Sequence, residues 1–129
     1  MRANAALVCK GSTVWSASLY NISTGAAAAL QAAAALGDDI HAVVSRGGRP
    51  YLAGNRELAK VKASTLLLVG GRDEEVLALN RAAYARLSCS KELSIIPGAT
   101  HLFEEAGTLD QVAQQASTWF KRYLTGGSI

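Results

Sequence analysis

The sequence has little cysteine and no long hydrophobic run. Its two cysteines, Cys9 and Cys89, have neither the spacing of a metal site nor the density of a disulfide scaffold, so we predict two free thiols. No apolar run approaches the length of a membrane-spanning helix, and the apolar part of the N-terminal segment is too short for a secretory signal. These features favour a cytoplasmic protein that does not bind membranes.

Aromatic residues make up only 6% of the chain, and charge forms no block. The chain carries a formal net charge of +3. Its lysines and arginines are nevertheless scattered, and no aromatic residues are interleaved with them in a basic stripe. Net charge is therefore the only support for nucleic-acid or phosphate binding, which is the weakest of the functions we consider.

Length and hydrophobic content indicate one folded domain over residues 1–129. Half of the residues are hydrophobic, which is enough for a core in a chain of this size. Residues 1–12 stay unassigned, because a helical turn and an extra strand both fit them. Gly11-Ser12 is typical of a break.

Strand and helix patterns alternate along the rest of the chain. Strands are predicted at 13–20, 40–45, 63–71 and 92–96, and helices at 24–36, 75–87 and 108–124. Residues 63–71 are almost continuously apolar, as in a strand that is buried on both faces. The alternation predicts an α/β fold with a small parallel sheet of about four strands and flanking helices.

The helix predicted at 24–36 begins at a turn that carries Ser23. A strand-like run ends at this turn, so Ser23 lies where a strand-to-helix elbow would hold a nucleophilic serine. A serine before an alanine run is also a good helix N-cap, and taken alone this alternative is the more frequent one. The helix is apolar nearly all round, which predicts that it is buried, and Gly37 is a natural end for it.

Two further polar residues each follow a predicted strand. Asp73 comes after Gly-Gly-Arg, and His101 comes after Pro-Gly-Ala-Thr. Asp73 could instead cap the next helix, and His101 could be an ordinary loop residue. Because ligands bind outside the carboxyl ends of parallel strands, Ser23, Asp73 and His101 are expected at one edge. Their order is that of a hydrolase triad, in which the serine attacks, the histidine carries the proton and the aspartate orients the imidazole.

An arginine pair flanks two glycines directly after the second predicted strand. Arg46 and Arg49 could bind an anionic group through paired hydrogen bonds. The same residues could equally form a solvated turn, because two glycines alone do not have the spacing of a phosphate loop.

From Tyr20 to Leu124 the sequence resembles the C-terminal half of an α/β-hydrolase of the dienelactone-hydrolase-like group. The matching motifs are Ser-Thr-Gly-Ala-Ala-Ala-Ala at the elbow, Leu-Leu-Val-Gly-Gly-Arg-Asp at the acid and Pro-Gly-Ala-Thr-His-Leu-Phe at the histidine. Asn21 and Ile22 stand where this group usually has glycine and alanine. The resemblance implies the catalytic residues Ser23, Asp73 and His101, an oxyanion N–H from Thr24, and no metal or organic cofactor. Substrate contacts are expected from Arg46, Arg49 and Phe103.

Complete members of this group have further strands before the nucleophile strand, and these strands supply a second oxyanion donor. We expect their absence to leave the predicted Thr13–Tyr20 strand with an unpaired edge. Such an edge recruits a partner, so a homodimer through the Thr13–Tyr20 region is predicted.

The sequence thus predicts a serine hydrolase of small esters, lactones or thioesters. The alternative is a non-catalytic hydrolase-derived module that binds a small ligand or serves assembly. Asn21 and the missing second oxyanion donor favour the module. Retention of all three triad residue types favours the enzyme.

Overall fold

The computed structural model of the chain describes residues 5–10, 13–18, 30–35, 37, 40–46, 50–100 and 104–125, with side chains described within 30–123. The strands are β1 (Ala5–Lys10), β2 (Thr13–Ser18), β3 (Ala42–Arg46), β4 (Ser64–Gly70) and β5 (Lys91–Ile96). The helices are α1 over residues 30–35, α2 (Asn55–Lys60), α3 (Glu74–Arg86) and α4 (Thr108–Phe120). A 3₁₀ turn spans Pro50–Ala53, and a π-helical turn spans Lys121–Thr125 after α4.

The five strands form one sheet in the order β2-β1-β3-β4-β5. Strands β3, β4 and β5 are parallel, with Val44 opposite Leu66 and Leu66 opposite Glu92. Strand β1 is antiparallel to both of its neighbours. The α/β fold class with flanking helices is confirmed, and its parallel part has three strands.

The prediction for the N-terminal part of the sheet was wrong in one respect. The strand predicted at 13–20 is present as β2, but it pairs with β1 and not with β3. Only two residues separate β1 from β2, which is too short for the crossover that a parallel pair needs, so the two strands form an antiparallel hairpin. Residues 1–12, left unassigned from the sequence, contain β1, the strand between β2 and the parallel part.

The sheet has a hydrophobic cluster on each face. Because side chains alternate along a strand, neighbouring residues of β3 and β4 enter different clusters. The first cluster joins the sheet to α1, α2 and α3 and includes Leu30, Ala33, Val43, Leu58, Leu67 and Ala83. The second joins the sheet to α4 and includes Ala42, Val44, Leu66, Leu68, Ile96 and Trp119. Helices on both faces explain why β4 is an almost continuous apolar run.

Helix α1 is buried on one face only over its described residues. Leu30 and Ala33 are fully buried, whereas Ala32 and Ala35 are exposed. The prediction that this apolar helix is buried therefore holds for one face of its described part, because alanine has too little side chain to reveal which face packs. Gly37 has a φ of +57°, in the left-handed region where helices commonly end at glycine.

The carboxyl end of β4 packs directly on the chain that follows β5. A Cβ atom on Gly70 would lie 2.4 Å from the carbonyl oxygen of Ala99 and 2.8 Å from that of Thr100. Backbone atoms cannot move aside as a flexible side chain can, so only glycine fits at this position. The absence of a side chain at Gly70 therefore sets the separation of the two loops that follow β4 and β5.

We expect Gly70→Ala to lower the free energy of unfolding by roughly 1–3 kcal/mol, because overpacking forces the backbone to shift. The matched control is Gly71→Ala, whose added Cβ would have no contact closer than 3.3 Å. Urea unfolding of both variants measures the difference. Equal stability of the two variants would show that the close approach at Gly70 does not constrain the fold.

Candidate active site

Asp73 follows β4 and occupies the N-cap position of α3. Its backbone N–H donates to the carbonyl of Gly70 at 3.0 Å, and its own carbonyl accepts from the N–H of Leu77 at 2.8 Å. Within the described part of the chain, its carboxylate makes no capping hydrogen bond to the helix. Asp73 does take part in a further interaction. The capping alternative considered for Asp73 therefore does not describe its carboxylate.

Backbone hydrogen bonds join the loop that carries Asp73 to the loop that leads to His101. The N–H of Gly71 donates to the carbonyl of Ile96 at 2.9 Å, and the N–H of Arg72 donates to the carbonyl of Ala99 at 2.9 Å. These bonds extend the β4–β5 pairing beyond the last strand residues. The two loops therefore form one connected unit at the carboxyl edge of the sheet, where ligands bind in open parallel sheets.

Glu105 binds Thr100, the residue directly before His101. The Thr100 N–H donates to Oε1 of Glu105 at 3.0 Å, and the Thr100 hydroxyl donates to Oε2 at 2.7 Å. The carbonyl of Glu105 accepts from the N–H of Thr108 at 3.1 Å and from its hydroxyl at 2.7 Å. Thr108 is the first residue of α4. Glu105 thus connects the start of α4 to the loop at the carboxyl edge.

The hydrogen bonds from Thr100 lower the pKa of Glu105. The largest cause is the bond from the Thr100 hydroxyl, followed by the bond from its backbone N–H, and the positive charge of Arg72 adds a smaller effect. Each of these groups favours the charged carboxylate over the protonated form. Glu105 therefore remains ionised at neutral pH and accepts charge-assisted hydrogen bonds.

Arg46 is the last residue of β3 and lies at the same edge of the sheet. It is half-buried and stands opposite Leu68 in the parallel register. Since β3 and β4 run in the same direction, Arg46 and the loop after Gly70 both follow carboxyl strand ends. The predicted anion contact is therefore at the edge that also carries Asp73.

The remaining predicted site residues lie outside the described residues. They are Ser23, Thr24, Arg49, His101 and Phe103. Of the predicted set, the structure describes Asp73 and Arg46, and it brings both to the carboxyl edge. Sequence reasoning missed the pair of Thr100 and Glu105, because two glutamates after an apolar pair are typical of a solvated loop.

The described ranges also bear on the predictions for metal ligands, thiols and membrane segments. Among those residues, no cluster of three His, Cys, Asp or Glu could hold a metal ion. Cys89 is a free thiol, as predicted, and burial raises its pKa. The described helices include none that is both long and apolar enough to cross a bilayer.

We expect the stabilisation from Glu105 to depend on pH. Its folded-state pKa lies below the ordinary value of 4.5, so the contribution is present above that pH and is lost as the pH falls through the lowered pKa. The stability difference between the wild type and Glu105→Gln should therefore shrink between about pH 7 and about pH 3, as measured by urea unfolding. Glu104→Gln, at an exposed neighbour, is the matched control. A difference that does not change with pH would contradict the assignment.

The chain aligns with two solved hydrolase structures. One is dienelactone hydrolase from Anabaena variabilis, with a TM-score of 0.76 and 58% sequence identity over 79% of this chain and 47% of that chain. The other is a "predicted CIB-like hydrolase" from Thermoplasma acidophilum, with a TM-score of 0.61 and 18% identity over 74% of this chain and 46% of that chain. The second alignment supports the fold alone, given its low identity.

Two curated proteins of Mycobacterium tuberculosis, from strains CDC 1551 and H37Rv, are similar to the chain in sequence. Each is named "Putative phosphoribosyl transferase" and is 56% identical over 107 residues, which is 83% of this chain and 24% of the relative. The chain thus spans about a quarter of these relatives, and three quarters of each lie outside the match. No family model matches the chain.

The fold, the strand order β3-β4-β5 and the solved relatives agree with the resemblance that the motifs indicated. Over the aligned part, which corresponds to about half of the Anabaena enzyme, this chain has the α/β-hydrolase fold of the dienelactone-hydrolase-like group.

Proposed function

We propose that this chain is a serine hydrolase that cleaves small carboxylic esters, lactones or thioesters, with Ser23, His101 and Asp73 as its triad. One observation carries the proposal. The Asp73 carboxylate follows β4 at the carboxyl edge and is not used as a helix cap among the described residues, and its loop is hydrogen-bonded to the chain that leads to His101. An aspartate that orients an imidazole requires this arrangement of two adjoining loops.

The proposed reaction has two steps. The Oγ of Ser23 adds to the substrate carbonyl while His101 accepts its proton, and the N–H of Thr24 stabilises the oxyanion. The bond to the leaving alkoxide or thiolate then breaks, and His101 returns the proton to the leaving group. Water repeats the sequence on the acyl-enzyme and releases the carboxylic acid. Asp73 fixes the imidazole tautomer and stabilises its charged form.

The substrate class follows from the groups expected around the triad. Arg46 and Arg49 are cationic and suit a substrate with a carboxylate or other anionic group, and Phe103 suits an apolar part. The name of the Anabaena relative, a dienelactone hydrolase, supports a lactone as one such substrate. The chain carries the three triad motifs. Its match spans 47% of that enzyme, so it corresponds to only part of the relative's fold.

The Mycobacterium relatives suggest a different name for the activity. Their transferase name belongs to proteins of which the chain matches 24%, at 56% identity, whereas the chain matches 47% of the Anabaena hydrolase, at 58% identity. Hydrolysis is therefore the better-supported function for this segment. The cytoplasm is the compartment that the sequence features favour. The alternative remains a non-catalytic module, because Asn21 occupies the place of the usual glycine.

Ser23 should react covalently with a fluorophosphonate probe, because such probes trap an activated serine. Mass spectrometry should find the adduct on Ser23, and His101→Ala should abolish it. Asp73→Asn should slow the hydrolysis of p-nitrophenyl esters by about 10³–10⁴-fold, since the imidazole would take the wrong tautomer.

Ser23→Ala is the control for background hydrolysis. An unlabelled wild type whose ester turnover equals that of Ser23→Ala would exclude the enzyme and leave the non-catalytic module. Labelling at a residue other than Ser23 would exclude this triad.

We also propose that two copies of the chain associate through residues 13–20. Among the described strands, β2 and β5 lie at the two edges of the sheet, and the described pairing of β2 is with β1. An outer strand presents backbone N–H and C=O groups to which another strand can bind. Light scattering after size exclusion should give about twice the chain mass of 13.5 kDa at micromolar concentration. A monomer under these conditions would refute the association.

A further inference from the structure

We propose that Glu105 is a positioning residue that holds His101 in register with Asp73. The inference rests on the proposed function, since it concerns the histidine of that triad. It assigns a role to a carboxylate outside the triad. That role accounts for the two hydrogen bonds that the Glu105 side chain accepts from Thr100.

Glu105 and its hydrogen-bond partner Thr100 lie on either side of His101 in the chain. Both carboxylate oxygens accept hydrogen bonds from Thr100, which directly precedes His101, and Glu105 follows His101 by four residues. The bonds therefore close a short loop that contains the histidine. Closing a loop removes backbone freedom from the residues within it.

The loop closed by Glu105 is anchored at both ends. On one side, the carbonyl of Glu105 accepts two hydrogen bonds from Thr108 at the start of α4. On the other side, the carbonyl of Ala99 accepts from the N–H of Arg72, the residue before Asp73. A continuous series of hydrogen bonds therefore connects α4 to the Asp73 loop through Glu105 and Thr100.

A carboxylate suits this position better than a neutral group. Thr100 presents two donors, and the two oxygens of Glu105 accept one each. A glutamine has a single acceptor oxygen in its side-chain amide, so it can keep only part of this arrangement. The positive charge of Arg72 further favours a negative group here. Charge-assisted bonds of this kind are about twice as strong as neutral ones.

The test measures how strongly Asp73 affects His101. The pKa of the His101 imidazole is followed by NMR in the wild type, Asp73→Asn, Glu105→Ala and the double variant, with the His101→Ala spectrum identifying the signal. Removing the Asp73 charge should lower the pKa of His101 by about one pH unit in the wild type. The same change should have less than half that effect in the Glu105→Ala background, because the histidine is no longer held beside the aspartate.

Matched variants separate positioning from a general loss of structure. Glu105→Gln should restore part of the coupling, and Glu104→Ala, at an exposed neighbour, should leave it unchanged. The rate of fluorophosphonate labelling should fall roughly ten- to a hundredfold in Glu105→Ala, as expected for a misplaced catalytic group. The pH dependence of the labelling rate should shift with the pKa of His101, whereas simple unfolding would reduce the labelling rate at every pH.

The outcomes distinguish this inference from the proposed function. If Asp73→Asn shifts the pKa of His101 equally with and without Glu105, the positioning role is refuted, although wild-type labelling still supports the hydrolase. If the coupling depends on Glu105 but the wild type is not labelled, the positioning role stands and the hydrolase fails. If Asp73→Asn has no effect on His101 in the wild type, both are refuted.

Discussion

The close contact between the end of β4 and the chain after β5 is the constraint on which the candidate site depends. Gly70 leaves no space for a side chain against the carbonyls of Ala99 and Thr100. Two neighbouring parallel strands thereby deliver their following loops to the same place, and the N–H of Arg72 binds one of those carbonyls. Two segments that are far apart in sequence become one rigid unit because their backbones touch.

The rest of the fold supports this unit from both faces of the sheet. Strand β4 is buried because α3 and its neighbours cover one face and α4 covers the other. Trp119 of α4 also donates its indole N–H to the carbonyl of Ser64, at the start of β4. A buried central strand cannot shift without exposing apolar surface or breaking hydrogen bonds. The acidic residue that follows it is therefore held in a constant position.

Much of the architecture could be predicted from local patterns. The continuous apolar run of β4, the amphipathic α4 and the glycine that follows α1 each have a signal within a few residues. The hairpin of β1 and β2 also had a signal, since two short apolar runs are separated by Gly11-Ser12. This local signal does not predict the order of the strands in the sheet, because β3, the partner of β1 on its other side, is more than thirty residues away.

The sequence by itself determined most of the elements and the order in which the candidate serine, acid and histidine occur, because hydrophobic period and turn residues act locally. Only the tertiary structure decided that the carboxylate of Asp73 does not cap α3 and that Glu105 binds Thr100. The physical reason is that a carboxylate can accept hydrogen bonds from any donor within reach. Which donor is within reach depends on how separate loops pack, and periodicity carries no information about that packing.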